Sequence, residues 1–142
     1  MTMLIHNATL PDGRIGIDVL VEADRISAVG PNLPLPEGVP VIDAGGLLLS
    51  PPFIDAHFHM DATLSLGLPR LNVSGTLLEG IALWGELKPQ LTQDALVERA
   101  LQYCDWAVAK GLLAIRTHVD VCDDRLLAVE ALLHVKERVK AY

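Results

Sequence analysis

The first fifty positions carry short apolar runs broken by turn residues. Residues 3–10, 15–29 and 39–49 are the apolar stretches. Pro11-Asp12-Gly13, the Pro/Gly-rich segment 30–40 and Gly45-Gly46 punctuate them, as turns punctuate strands. The middle stretch divides at Ala23-Asp24 into two strands, Ile17–Glu22 and 25–29. The pattern predicts a small, sandwich-like β-segment over residues 1–50.

The period changes at Pro51-Pro52. Residues 53–59 form a short, mostly apolar strand. Thr76 with Glu79 three positions on makes a capping box that opens a helix, with Leu77, Ile81 and Trp84 on its apolar face. A second helix spans 92–110 on a stripe of Val97, Ala100, Leu101, Cys104 and Val108, and Gly111 stops it. Residues 112–121 are apolar on both faces, as buried parallel strands are. Asp123 caps a last helix that runs to Tyr142 with Leu126, Val129, Leu132, Leu133 and Val139 inward. Residues 51–142 therefore read as two βα units of a parallel α/β fold. Two parallel strands need cover on both faces and neighbours at both edges. The pattern is expected to be the opening of a larger α/β barrel: a fragment, a truncated reading frame or one piece of a split enzyme.

Of the 142 residues, 51% are hydrophobic but only 4% aromatic, so the core is aliphatic. Eleven basic against 18 acidic residues give a net charge of -7 with no basic block, which argues against nucleic-acid or anionic-membrane partners. The N-terminus lacks a signal peptide's charged and apolar regions, and no apolar run is long enough to span a bilayer. Cys104 and Cys122 form no CxxC pair and are expected to be reduced, buried thiols in a cytoplasmic protein.

The chemistry centres on His57-Phe58-His59. One residue apart on a strand, the two imidazoles share a face, as two ligands of one zinc or iron must. Asp55 and Asp61 have the same parity, while Ile54, Ala56 and Phe58 take the other face, under helices. The plain alternative is a chance His-x-His on an exposed strand. Arg116, His118 and Asp120 share a face near the end of the second strand. They read either as a polar layer at a barrel mouth or as a structural ion pair beside a hydrogen-bonded histidine. His6 and His134 look ordinary, and Trp84 and Trp106 pack. The His-x-Glu and Pro-Cys-x-x-Cys pattern of zinc nucleobase deaminases is absent, as are a Gly-x-Ser-x-Gly elbow and phosphate-binding glycine loops.

Residues 41–46 (Val-Ile-Asp-Ala-Gly-Gly) followed by residues 51–59 (Pro-Pro-Phe-Ile-Asp-Ala-His-Phe-His) resemble the start of the amidohydrolase superfamily. The segments 57–61, 74–81 with Trp84, and 116–121 resemble its cytosine deaminase branch. The resemblance implies a small β-domain ahead of a (β/α)8 barrel, here incomplete, and one divalent metal, iron or zinc, in the complete enzyme. It implies that His57 and His59 are metal ligands and that Leu77 lines the pocket of a small cytosine-like ring. In such enzymes metal-activated water displaces ammonia from the ring. The remaining ligands and the proton-shuttling glutamate are implied to come from later strands, so no catalytic acid or base is expected within this chain. The rest of the barrel or a homo-oligomer would supply them. An aminotriazine or a cyclic amide is the alternative substrate, and a non-catalytic metal-binding module the alternative class.

Overall fold

The computed structural model describes residues 1–35 and 37–141. Pro36 in the expected 30–40 turn, and the expected end of the last helix at Tyr142, lie outside the described residues. The chain divides into two units, Met1–Pro51 and Pro52–Tyr142, each mixed or pure in secondary structure as its punctuation demands.

The first unit is a four-stranded sheet of β1 (Thr2–Ala8), β2 (Ile17–Glu22), β3 (Arg25–Gly30) and β4 (Val41–Asp43), in the order β3-β2-β1-β4. Ala23-Asp24 turns β2 back antiparallel onto β3, and β2 pairs antiparallel with β1. The stretch 39–49 forms a shorter strand than expected. β4 runs parallel to β1 for three residues. Gly45 and Gly46 then turn the backbone at positive φ, and Leu48 returns as a single bridge to Thr9. Leu4, Ala8, Ile17 and Val19 form the buried core. Asp18 is buried beside them. Its carboxylate accepts from the Asn7 and Leu33 N–H groups, both at 3.0 Å, and lies 2.8 Å from His6 Nδ1. The Asn7 N–H above all holds this carboxyl below its usual pKa, against the opposing effect of burial.

In the second unit β5 (Phe53–His59) and β6 (Leu112–His118) pair in parallel. Helices α1 (Leu77–Leu87) and α2 (Gln93–Ala109) lie between them in sequence, and α3 (Leu127–Arg138) follows β6. Each expected element forms, and the differences lie in faces and ends. Thr76 Oγ1 caps α1 by accepting from Glu79 N–H, and Thr92 caps α2 in the same way. The buried positions of α1 are Leu83 and Leu87, not Leu77 and Ile81, which are exposed. Leu87 meets Leu91, Leu96 and Ala131 in one core cluster, whereas Leu77, Leu78 and Ile81 at the start of the helix are more than half exposed. On α2 the stripe is Leu96, Ala100, Cys104 and Ala107, so Val108 points outward. Ala100 and Cys104 pack with Met60, Leu132 and Val135 in a second cluster. On α3, Leu126 and Leu133 are exposed, and Asp123 does not cap. The residue at the cap is Leu126, in the left-handed region with φ 49°, and the Asp123 carboxylate is engaged by Arg125 instead. Both thiols are free, but Cys122 is exposed because β6 ends at His118 rather than 121 and leaves Cys122 in the following loop. Trp106 is likewise more than half exposed. No helix among the described residues is long and apolar enough to cross a membrane.

Candidate functional site

β5 is a strand because seven residues free of Gly and Pro follow Pro51-Pro52, and it begins where Phe53 N–H donates to the Gly111 carbonyl at 2.8 Å. Its register is not uniform. Asp55 pairs with Ile115, but Phe58 pairs with Thr117, so β5 uses one more residue than β6 across the same span. This is a bulge, and it resets the alternation that sequence parity assumes. Asp55 lies on the Phe58 side rather than with the histidines. The Phe58 ring stacks 4.3 Å from that of Tyr103 on α2. Burial first, and the Asp55 charge second, raise the Tyr103 pKa. Ile54 falls in register with Ala114 and is exposed, as is Ala56. Only Phe58 of that expected apolar trio lies under a helix.

Beyond the bulge, His59 and His118 are direct register partners at the ends of β5 and β6. The His57 and His59 ring centroids are 5.7 Å apart, His59 and His118 5.5 Å, and His57 and His118 4.0 Å, the last pair stacked. The structure thus brings together the two expected ligands and the histidine whose role the sequence left open. Desolvation, then the neighbouring His57 and His59, then Arg116, push the His118 pKa down and favour the neutral imidazole. Among the described residues no three His, Cys, Asp or Glu side chains bring their donor atoms to one point for a metal ion. Two histidines are in any case fewer than the three protein ligands of a catalytic zinc site.

The expectation for Asp120 changes. Asp120 does not share the His118 face. One carboxylate oxygen accepts from Trp84 Nε1 at 2.7 Å and Lys88 Nζ at 2.9 Å, and the other from Cys122 N–H at 2.8 Å. Those bonds, the Cys122 N–H first, hold its carboxyl far below the usual range. The alternative of an ion pair beside a hydrogen-bonded histidine is met on both counts, since Asp120 pairs with Lys88 and the His118 ring bonds the Phe58 backbone. Leu77 is exposed at the first turn of α1.

Sequence reading missed the support beneath the rings. Asp61 is buried, 1% exposed, in the turn after His59. Its Oδ2 accepts from Asp120 N–H at 2.8 Å and its Oδ1 from Ala62 N–H at 3.1 Å. Oδ1 also stands 3.7 Å from His59 Nδ1, where metal-binding histidines commonly have a carboxylate. Thr117 Oγ1 accepts from Met60 N–H at 3.0 Å. Together these bonds tie the two strand ends that carry the histidines. A cleft of about 760 Å³ lies elsewhere, on the helix side of β6 among residues such as Ile115, Leu132 and Val139. It contains none of the histidines.

The histidines gather at the carboxyl ends of parallel strands, where α/β proteins bind ligands. The family follows from comparison. The amidohydrolase family profile matches residues 40–138, and the chain belongs to that family. It is 33% identical over 145 aligned positions to N-isopropylammelide isopropyl amidohydrolase of Pseudomonas sp. strain ADP, covering 97% of this chain and 35% of that one. Among solved structures it is similar to 5-methylcytosine deaminase from Klebsiella pneumoniae liganded with 5-fluorocytosine. The identity there is 37% and the TM-score 0.86, over 96% of this chain and 33% of that one. It is also similar to N-isopropylammelide isopropylaminohydrolase from Burkholderia multivorans, with 27% identity and TM-score 0.76 over 99% and 35%. The chain spans about a third of the length of these relatives.

Proposed function

We propose that this chain forms the opening part of a metal-dependent deaminase that converts a cytosine-like ring and water to the keto product and ammonia. In this reading residues 1–50 belong to a small β-domain, and residues 51–142 are the first two βα units of a (β/α)8 barrel. His57 and His59 hold one divalent metal, iron or zinc. Leu77 lines the substrate pocket once later elements cover the start of α1. The observation that carries the reading is the placement of His57 and His59 beside His118 at the carboxyl ends of two parallel strands. The likeness to the 5-methylcytosine deaminase, at 37% identity and TM-score 0.86, favours a pyrimidine. The 33% identity to the isopropylammelide enzyme over nearly the whole chain supports an aminotriazine as the second reading.

The test is complementation. The chain alone, with equimolar metal, is expected to release no ammonia from cytosine, since the oxygens of Asp61, the carboxylate 3.7 Å from His59 Nδ1, are occupied by backbone N–H groups. Mixed with the remaining two thirds of a cytosine deaminase-type barrel, it is expected to restore turnover of cytosine or 5-methylcytosine, and His57→Ala or His59→Ala to abolish it. Deamination by the isolated chain overturns the proposal. Turnover of N-isopropylammelide but not cytosine selects the second reading.

A further inference from the structure

We infer that Arg116 is the seat for a carboxylate brought by a later strand of the barrel, an ion pair that fixes the register in which the rest of the barrel closes on this chain. This rests on the reading of residues 51–142 as the opening of a (β/α)8 barrel and adds a contact that the reading does not include.

The two faces of the β5-β6 sheet are unlike. Phe58 of β5 and Ile115 of β6 pack on the helix side, against the cluster that holds Met60, Cys104 and Leu132. Thr117 lines the cleft on that same side. Side chains alternate along a strand, so Ala114, Arg116 and His118 rise from the opposite face. All three are exposed, as are His57 and His59. In a closed (β/α)8 barrel the face away from the helices is the interior, and below the mouth it is filled by layers of side chains. Arg116 sits one layer below His118.

The Arg116 side chain forms no hydrogen bond or ion pair with a described residue, and its charge acts on His118, where it disfavours protonation. Arg14, Arg70 and Arg125, by contrast, each have a carboxylate oxygen within 2.8 Å. The acidic residues near the ends of the two strands are engaged elsewhere. Asp55 lies on the Phe58 side and accepts from the His57 N–H at 3.1 Å. Both Asp61 oxygens take backbone N–H groups. Both Asp120 oxygens are held by Trp84, Lys88 and the Cys122 N–H. A guanidinium does not lose its proton, so Arg116 stays charged when this face is closed, and a buried charge is costly unless paired. Among side chains only Asp and Glu bring the opposite charge, with two oxygens that match the guanidinium fork. The chain covers 35% of the isopropylammelide enzyme and 33% of the 5-methylcytosine deaminase, and strands in the remaining length of such a barrel would carry the partner. A slip of one residue turns a strand's side chains to its other face and would leave both charges buried without a partner, so the pair selects one register.

The test is association of this chain with the remaining two thirds of a cytosine deaminase-type barrel, the two being refolded together. Phenylglyoxal labelling, read by peptide mass spectrometry, is expected to modify Arg116 in the isolated chain and to spare it in the complex. Arg116→Met keeps most of the side-chain length and loses the charge. It is expected to leave the isolated chain folded by circular dichroism and to weaken association at least about 30-fold, the low end for truncating one member of a buried charge pair. Arg116→Lys keeps the charge without the fork and is expected to fall between the two. Inward-facing Asp and Glu residues of the partner piece are then replaced by Asn and Gln, one at a time. One replacement is expected to weaken binding of the parent chain while weakening that of Arg116→Met no further, the mark of a coupled pair. If Arg116→Met associates like the parent, if no acidic residue couples to Arg116, or if Arg116 stays reactive in an active complex, this inference falls while the barrel reading stands. If the parent chain does not associate at all, both fail.

Discussion

Asp120 is the side chain on which the second unit's elements converge. Its carboxylate takes the Trp84 indole and the Lys88 ammonium from the end of α1, while its own N–H bonds Asp61 in the turn after β5. The Cys122 N–H, then Lys88, then Trp84 keep the carboxyl ionised far below its ordinary pKa. The sign of the pH dependence follows. Above about pH 3.9, the pKa of an unperturbed aspartate, both folded and unfolded chains carry the charge and the stabilisation is fully present. As pH falls below that value the unfolded chain takes up the proton first, and stability drops until the folded carboxyl is itself protonated. Asp120→Asn is therefore expected to flatten the acid limb of the unfolding curve while lowering stability at neutral pH. Fluorescence of Trp84 in a Trp106→Phe background reads this directly, since the indole bonds the titrating group. An acid limb equally steep with and without Asp120 contradicts the assignment. Asp18 in the first unit, also held low by backbone N–H groups, contributes an acid limb that this probe does not see.

At the scale of elements, the ends with a chemical signature were legible in the sequence. Thr76 and Glu79 announced α1, and Thr76 Oγ1 does accept from the Glu79 N–H. The Glu79 carboxylate, however, turns to Ser74 and Arg70 rather than back to Thr76, and these bonds, Ser74 first, lower its pKa to about 2. Thr76→Ala is expected to cost about 1 kcal/mol, the usual value for a lost N-cap, measured by denaturant unfolding. Gly111 was legible as the stop of α2, and its φ of 78° explains why. Gly111→Ala meets only ordinary contact with Phe53 at 3.9 Å, so its expected cost of about 1–2 kcal/mol is that of a left-handed alanine. An unchanged midpoint for either variant contradicts the corresponding cap. What the sequence could not show depends on partners. The face α1 buries is decided by Leu91 and Leu96 reaching Leu87, not by the periodicity of Leu77 and Ile81. The bulge in β5 leaves the apparent alternation of Asp55, His57 and His59 untouched while moving Asp55 to the other side, because a register slip changes pairing without changing sequence. That His118 lies beside His59 follows from the register alone.

Over the whole molecule the unresolved demand is apolar surface. Phe53, Ile54, Leu66, Val73, Leu77, Leu78 and Leu113 of the second unit are all more than half exposed. β5 and β6 form a sheet of two strands, each with an outer edge that no described strand pairs, which is a template for further strand addition. Scattered exposed leucines are normal. Leu77, Leu78 and Ile81, adjacent on one turn of α1, and Leu113 beside an open edge are not scattered, and such patches mark surfaces built to be covered. At about 25 cal/mol per Å² of apolar area removed from water, covering even a few such side chains outweighs the surface ion pairs that decorate α1, such as Arg70 with Glu86. The chain is therefore expected to self-associate with rising concentration in sedimentation velocity and to bind a hydrophobic dye while its circular dichroism remains folded. Addition of the complementary two thirds of a family barrel is expected to reverse both, and Ile81→Glu with Leu78→Lys to reduce association without lowering helix content. A chain that stays monomeric and dye-free at high concentration, and melts cooperatively, contradicts this. It would mean that the two-stranded sheet and its three helices are a finished module rather than the opening of a deaminase barrel.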